Sequence, residues 1–393
     1  MHRETGSEEG KARVAVIMYP WKSMAPYKFL SNMAIILDSV CARVLIITGN
    51  TDRIVSPSQR IKTADIGVSV HYLGDIKPAP YSALLSIIKT AVVPLKVSTE
   101  LIKARKDVDI VLFFQTYPYC LLPLLTAKAL GKRAIEYRGQ GKPSMLSLSK
   151  LLPMLLSVLD PLMLRLLDGI SLESSGLLSS RSLRRCRHKL LPTMRFIDLS
   201  RYTLNKPLNE RKNVVGFIGR LTRDKGVIDF VKAIPAIARQ NAGTSFLIAG
   251  AGDRSKWVVD ECIKLRAEGI DVTVSGWIGE DLPSYLNELK LLVLPTRYDA
   301  FPTILVEAIA CGTPVMATAV GGIPDFVKDG ETGFLLVNGE AEYITEGVTK
   351  ALALPDTELE RIAANARSKI ETQFSYSATV ERFRSALSLS HAH

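Results

Sequence analysis

Short runs of continuous apolar residues alternate along the chain with longer stretches in which apolar positions recur at helical spacing. In the first half the runs are VAVIMY (14 to 19), RVLIIT (43 to 48), DIVLFF (109 to 114) and RAIEY (133 to 137). In the second they are NVVGFIG (213 to 219), SFLIAG (245 to 250), DVTVSG (271 to 276), LLVLP (291 to 295) and PVMAT (314 to 318). Runs of this kind belong to strands covered on both faces, and helix-length segments between them imply a parallel sheet. From 226 to 240, Val227, Phe230, Val231, Ile234, Ile237 and Ala238 form one helical stripe. The pattern predicts an α/β protein with two Rossmann-like domains.

The rhythm breaks at LPTMRFIDLSRYTLNKPLNERKN (191 to 213), which is polar, carries two prolines and has no sustained periodicity. The predicted organisation is a first domain over 1–195, a linker over 196–212, a second domain over 213–374, and a helix within 375–393 that is a candidate to pack back on the first domain. The longest uncharged stretch, Ile110 to Ala127, is interrupted by Gln115, Pro118 and Pro123. It reads as a buried strand followed by a helix rather than a membrane span.

Charge separates the two halves. The 393 residues are 47% hydrophobic and 23% charged, with a net charge of +11. Residues 1–200 carry 28 basic and 15 acidic groups, net +13, whereas 201–393 carry 22 and 24, net −2. A basic first half predicts an anionic partner there. The five cysteines are far apart and show no metal-ligand spacing, so neither a disulfide framework nor a zinc site is expected. The first residues, MHRETGSEEG, are polar and acidic, unlike a secretory signal, and the expectation is a cytoplasmic protein.

Ligands of open parallel sheets bind outside the carboxyl ends of the strands. After FIG comes a basic loop, Arg220 to Gly226, that runs into a helix; Gly219 allows close backbone approach, and Arg220 and Lys225 suit a phosphate. After LLVLP comes TRYDAFPTILVEAIACG (296 to 312), with Asp299 and Glu307 flanking a helix start near Thr303. That start places the amides of Thr303, Ile304 and Leu305 at a positive helix end, and Glu307 can accept from sugar hydroxyls. A third loop, Trp277 to Asp281, is a candidate to hold a base.

Together FIGRLTRDKG, LIAGAGD, VSGW and YDAFPTILVEAIACGTPVMATAVGGIPDFVKDGETGFLL resemble the donor half of retaining glycosyltransferase family 4, over about Val214 to Val337. The resemblance implies the GT-B fold, two Rossmann-like domains facing across a cleft. It implies transfer of a hexose-type sugar from a nucleotide-diphosphate sugar, with retention of anomeric configuration and without a cofactor or metal. It assigns Arg220 and Lys225 to the diphosphate and Glu307 to the ribose. Asp299, Ala300, Phe301, Pro302, Thr303 and Ile304 fall at the sugar and phosphate, with Gly219, Trp277 and Ile278 completing the donor site. Two departures stand out. Asp299 replaces the family's usual Glu, a carboxylate shorter by roughly 1.5 Å. On the acceptor side, assigned to Ser23 and Arg138, Arg138 stands where a His is usual and cannot serve as a general base.

Other signals read as ordinary structure. Asp107 and Asp109 form a D-x-D, but at the amino end of their strand, and GQGKPS (139 to 144) lacks the residues of a phosphate loop. No nucleic-acid motif is present, so nucleic acid is not expected as a partner. Two basic, apolar-rich segments, 81–106 and 145–189, predict peripheral contact with an anionic membrane, the inner face of the cytoplasmic membrane, and so a lipid-linked, phosphorylated or glycan acceptor. A phosphorylase, a sugar-nucleotide epimerase and a catalytically silent binding module remain alternatives.

Overall fold

The protein is described by a computed structural model covering residues 11–18, 25–48, 68–72, 83–114, 120–139 and 159–388. The chain divides into two compact units. The first comprises Met1–Glu173, Leu177–Arg195 and Thr379–His393; the second comprises Ser174–Gly176 and Phe196–Ala378. Residues 196–212, which the sequence suggested as a linker, thus cluster with the second unit.

The first unit runs β1 (Arg13–Met18), α1 (Ala25–Val40), β2 (Arg43–Thr48), β3 (Val68–Tyr72), α2 (Ala83–Lys103), β4 (Ile110–Phe114), α3 (Leu121–Ala129), β5 (Arg133–Arg138), α4 (Asp160–Leu166), β6 (Gly169–Leu172), α5 (Arg181–Arg185) and β7 (Leu190–Leu191). Its seven strands are parallel, in the order β3-β2-β1-β4-β5-β6-β7. The continuous apolar runs bury both faces of this sheet: β4, IVLFF, is buried at every position.

The second unit runs β8 (Val214–Ile218), α6 (Val227–Gln240), β9 (Ser245–Ala249), α7 (Ser255–Ala267), β10 (Val272–Ser275), α8 (Leu282–Glu288), β11 (Leu291–Leu294), α9 (Thr303–Ala310), β12 (Val315–Thr318), α10 (Ile323–Phe326), β13 (Phe334–Leu336), α11 (Ala341–Leu352) and α12 (Asp356–Phe374); the last helix, α13 (Tyr376–Ser388), clusters with the first unit from Thr379 on. The parallel sheet is ordered β10-β9-β8-β11-β12-β13. This is the doubly wound arrangement, and its strand order reverses between β8 and β11. The predicted stripe of α6 is buried from Val227 to Ile237, with Phe230 against Phe217 at 5.7 Å between ring centres.

The stretch before β8 is held by a buried arginine. The Arg211 guanidinium donates to Lys206 O (2.9 Å), Leu289 O (3.0 Å), Cys311 O (2.9 Å) and Thr313 Oγ1 (2.8 Å). It thereby satisfies carbonyls left open where α8 and α9 end. Burial pulls its pKa down to about 10. All five cysteines are free and buried. No helix among the described residues is long and apolar enough to cross a membrane.

At the amino end of the first sheet, Asp109 takes Arg13 through Oδ1 at 2.7 Å and Oδ2 at 3.0 Å, and Asp107 pairs with Arg43 at 3.1 Å. The D-x-D is thus a strand-joining pair of ion bridges. The hydrogen bond from Arg13 holds the Asp109 carboxyl below its usual range.

Two outcomes follow. Arg211→Met leaves several buried carbonyls without donors and is expected to lower unfolding free energy by about 2–4 kcal/mol, read by urea denaturation; a loss within about 0.5 kcal/mol contradicts the role. A carboxyl with a lowered folded pKa stabilises above its unfolded pKa and loses that contribution as pH falls. The melting temperature of Asp109→Asn is therefore expected to decline less steeply than wild type between about pH 5 and pH 3, and parallel declines would contradict it.

Candidate active site at the carboxyl ends of the second sheet

The reversal between β8 and β11 opens a crevice at the carboxyl ends of these neighbouring strands, because the chains leaving them depart in opposite directions. The loop after β8 carries Arg220 and Lys225; the loop after β11 carries Asp299 and leads into α9. Lys225 Nζ donates to Asp299 Oδ2 at 2.5 Å across the crevice. Their side chains are only 14% and 16% exposed, so the pair is far less screened than a surface bridge. Arg220 is open to solvent and pairs with Asp224 at 3.2 Å.

Backbone contacts fix these loops to one another. Arg297 N and Thr296 Oγ1 donate to Asp224 O at 2.8 and 3.1 Å, and Gly322 N donates to Asp299 O at 2.9 Å. Two glycines make the approach possible. Gly226 has φ +78°, and a Cβ there would stand 2.0 Å from Pro295 O; Gly321 has φ +58°, and a Cβ there would stand 1.8 Å from Asp299 O. Both need a left-handed backbone and bare Cα atoms. A Cβ on Gly219 would meet nothing within 4 Å.

The start of α9 points its orphan amides toward the same end of the sheet. Leu305 N, expected among them, donates to Pro302 O at 2.9 Å, which leaves Thr303 and Ile304 at the open helix end. Glu307 is buried and accepts from Tyr202 Oη at 2.7 Å. Burial, followed by the Glu307 charge, raises the Tyr202 hydroxyl far above its usual range, so it stays a donor. Tyr202 was not foreseen: it lies in a polar stretch and reaches Glu307 across 105 residues of sequence.

Other expected residues fall elsewhere. Ala300 and Phe301 bury their side chains, and Phe301 packs edge-on to Phe326 at 5.0 Å, so what this pair offers a ligand is backbone. Pro302 precedes α9 as its cap residue. Trp277 is 82% exposed and Ile278 packs partly on the core. Their loop follows β10, the edge strand, which β9 separates from β8. Arg138 ends β5 and is held by Glu136 at 2.9 Å and Asp160 at 2.7 Å. Ser23 lies outside the described residues. Among the described residues no group of three or more His, Cys, Asp or Glu is arranged to hold a metal. An open groove of about 850 Å³, lined by Lys212, Arg239, Thr244 and Asp271 among others, sits at the opposite, amino ends of β8, β9 and β10.

Residues 203–369 match the family model for glycosyl transferases group 1. The chain is 30% identical over 160 residues to glycogen synthase of Mycobacterium tuberculosis, covering 41% of this chain and 38% of that protein. It is 27% identical over 162 residues to the capsular polysaccharide biosynthesis glycosyltransferase CapM of Staphylococcus aureus, covering 41% and 42%. The matches thus span about two fifths of these relatives' own length. Among solved structures, Anabaena Alr3699/HepE in complex with UDP superposes with a TM-score of 0.71 at 15% identity, over 96% of this chain and all of that one. The fold is GT-B.

The glycine contacts make a paired test. Gly321→Ala is expected to cost about 2–4 kcal/mol of stability, through φ strain and the clash with Asp299 O. Gly219→Ala should stay within about 0.5 kcal/mol of wild type. Equal melting temperatures for the two variants would contradict the described packing of the loops.

Proposed function

We propose that this protein is a glycosyltransferase that moves a hexose-type sugar from a nucleotide-diphosphate sugar to an acceptor, with retention of anomeric configuration and without a metal. The observation that carries the reading is the Lys225–Asp299 bridge across the strand-order reversal, beside Arg220 and the α9 amino end. It supports a site for an anion next to a sugar. The match of residues 203–369 to the group 1 family and the UDP in the Anabaena structure support the same ligand class.

In this reading the diphosphate lies over the loop after β8. Arg220 and Lys225 neutralise its charge, and the Thr303 and Ile304 amides add donors without moving. Transfer breaks the bond between the anomeric carbon and the phosphate oxygen while the acceptor hydroxyl oxygen bonds to that carbon and its proton passes to the departing phosphate. Negative charge grows on the departing diphosphate, and groups already in place stabilise it more in the transition state than in the ground state. Asp299 does two things: it holds the Lys225 ammonium in place and presents a carboxylate oxygen to the donor sugar. Glu307, fixed by Tyr202, receives the ribose hydroxyls. Arg138, bound by two carboxylates, supports the acceptor side by shaping the end of β5 rather than by moving a proton.

The acceptor is a glycan or a lipid-linked or phosphorylated molecule, in keeping with the basic first half. The Asp299 loop favours a transferase over a phosphorylase or an epimerase.

Each charge-assisted bond contributes about 1.5–3 kcal/mol. Lys225→Ala is expected to lower kcat/KM about ten- to a hundred-fold with an unchanged circular-dichroism spectrum; a folded variant with unchanged activity removes the assignment. A thermal-shift screen against UDP, GDP and ADP sugars finds the donor, since a ligand at about 100 times its Kd stabilises by about 2.7 kcal/mol. No response across the whole set would contradict donor binding.

A further inference from the structure

The first unit gathers its exposed apolar side chains in one place. Among the described residues, every exposed large apolar side chain of this unit lies on α2, α3 or α4: Val92, Leu95, Ile102, Leu122, Leu125 and Leu162. These helices are neighbours. Thr126 Oγ1 of α3 donates to Ser98 Oγ of α2 at 3.1 Å, and α4 packs on both α3 and α5. Each helix has an inner side in the core, with Val97 and Leu101 of α2, Leu124 and Ala127 of α3, and Met163 and Leu164 of α4. Val92, Leu95 and Ile102 are spaced three and seven residues apart, and Leu122 and Leu125 three, which keeps each set on one side of its helix, away from that core.

Charge surrounds this apolar layer with one sign. Lys96, Arg165, Arg184, Arg185 and Arg187 are exposed on or beside the same helices. The carboxylates there are already held: Glu100 by Lys103 and Asp168 by Lys128, each at 2.8 Å, and Asp160 by Arg138 at 2.7 Å. Lys189, the last cation of the basic run, turns inward and caps α4 through the carbonyls of Arg165 (2.9 Å) and Leu167 (2.7 Å). That cap fixes α4 beside the basic turn that follows α5.

We propose that α2, α3, α4 and the basic turn from Arg184 to Arg187 form a docking surface for an anionic lipid bilayer. Exposed leucines flanked by arginines suit a layer with an apolar interior and negatively charged headgroups. An ordinary protein partner explains the leucines but not a rim of one sign. The surface lies wholly within the first unit, which carries the excess positive charge of the chain. It extends the two segments suggested by the sequence, 81–106 and 145–189, to α3; residues 81–82 and 145–158 of those segments lie outside the described residues.

The test is flotation of the full-length protein with vesicles of phosphatidylcholine alone or with about one third phosphatidylglycerol. Wild type is expected to float with the anionic vesicles at low salt, to be released as salt shortens the Debye length, and not to float with the neutral ones. Two double variants at exposed positions, Leu95→Glu with Leu125→Glu and Arg184→Glu with Arg185→Glu, are each expected to weaken partitioning about ten-fold or more. Nucleotide-sugar affinity measured without vesicles should be unchanged in both, which separates this result from the fate of the proposed activity. Absence of flotation, or flotation that neither variant weakens, overturns the proposal. So does a wild-type dimer in sedimentation velocity that the leucine variants dissociate while lipid binding is absent, since the face would then serve a second copy of the chain.

Discussion

The candidate site depends on a single topological constraint: β8 and β11 are hydrogen-bonded neighbours, yet the chain leaves them in opposite directions. Neither following helix covers the gap. The sequence places a phosphate-suited loop on one side of it and an acidic loop on the other, and the Lys225–Asp299 bridge joins them. Around that bridge, backbone contacts at Gly226 and Gly321 set the loops at spacings that no side chain would permit. The site is therefore assembled without a ligand, as the proposed stabilisation of a departing diphosphate requires.

Charge is distributed by role. The second unit uses a few cations set against carboxylates: Arg220 with Asp224, Lys225 with Asp299, and Arg211 inside the core with carbonyls instead. The first unit also pairs cations with carboxylates, as at Arg13 and Arg138, but in addition exposes Arg165, Arg184, Arg185 and Arg187 beside its apolar helical face. One arrangement fits a small anion held at fixed distances, and the other fits an extended anionic surface whose groups have no fixed position. The overall charge of +11 hides this difference.

Strands were legible where the sheet covers them on both sides. β1, β2, β4, β5, β8, β9, β11 and β12 all read as continuous apolar runs, within a residue or so of their bounds, and β10 was legible as well although it lies at a sheet edge. The strands not anticipated were β3, β7 and β13, which lie at sheet edges, and β6, four residues opened by a glycine. Edge strands have less to bury, and short ones give periodicity little length to show. Loops after strands announced Arg220, Lys225 and Asp299, because chemistry there follows from topology. Tyr202 and Arg211 were silent because their partners lie about a hundred residues away along the chain. Position along the chain marks Phe301 and Arg138 as ligand contacts, whereas their engagement by Phe326, Glu136 and Asp160 depends on the folded packing.

The most direct test of the central claim is hydrogen–deuterium exchange of the full chain with and without UDP, GDP and ADP sugars. Donors of one base class are expected to slow exchange at residues 219–226 and 296–305, the two sides of the crevice. Protection confined to the groove at 243–245 and 268–271, or no protection with any donor, would contradict it.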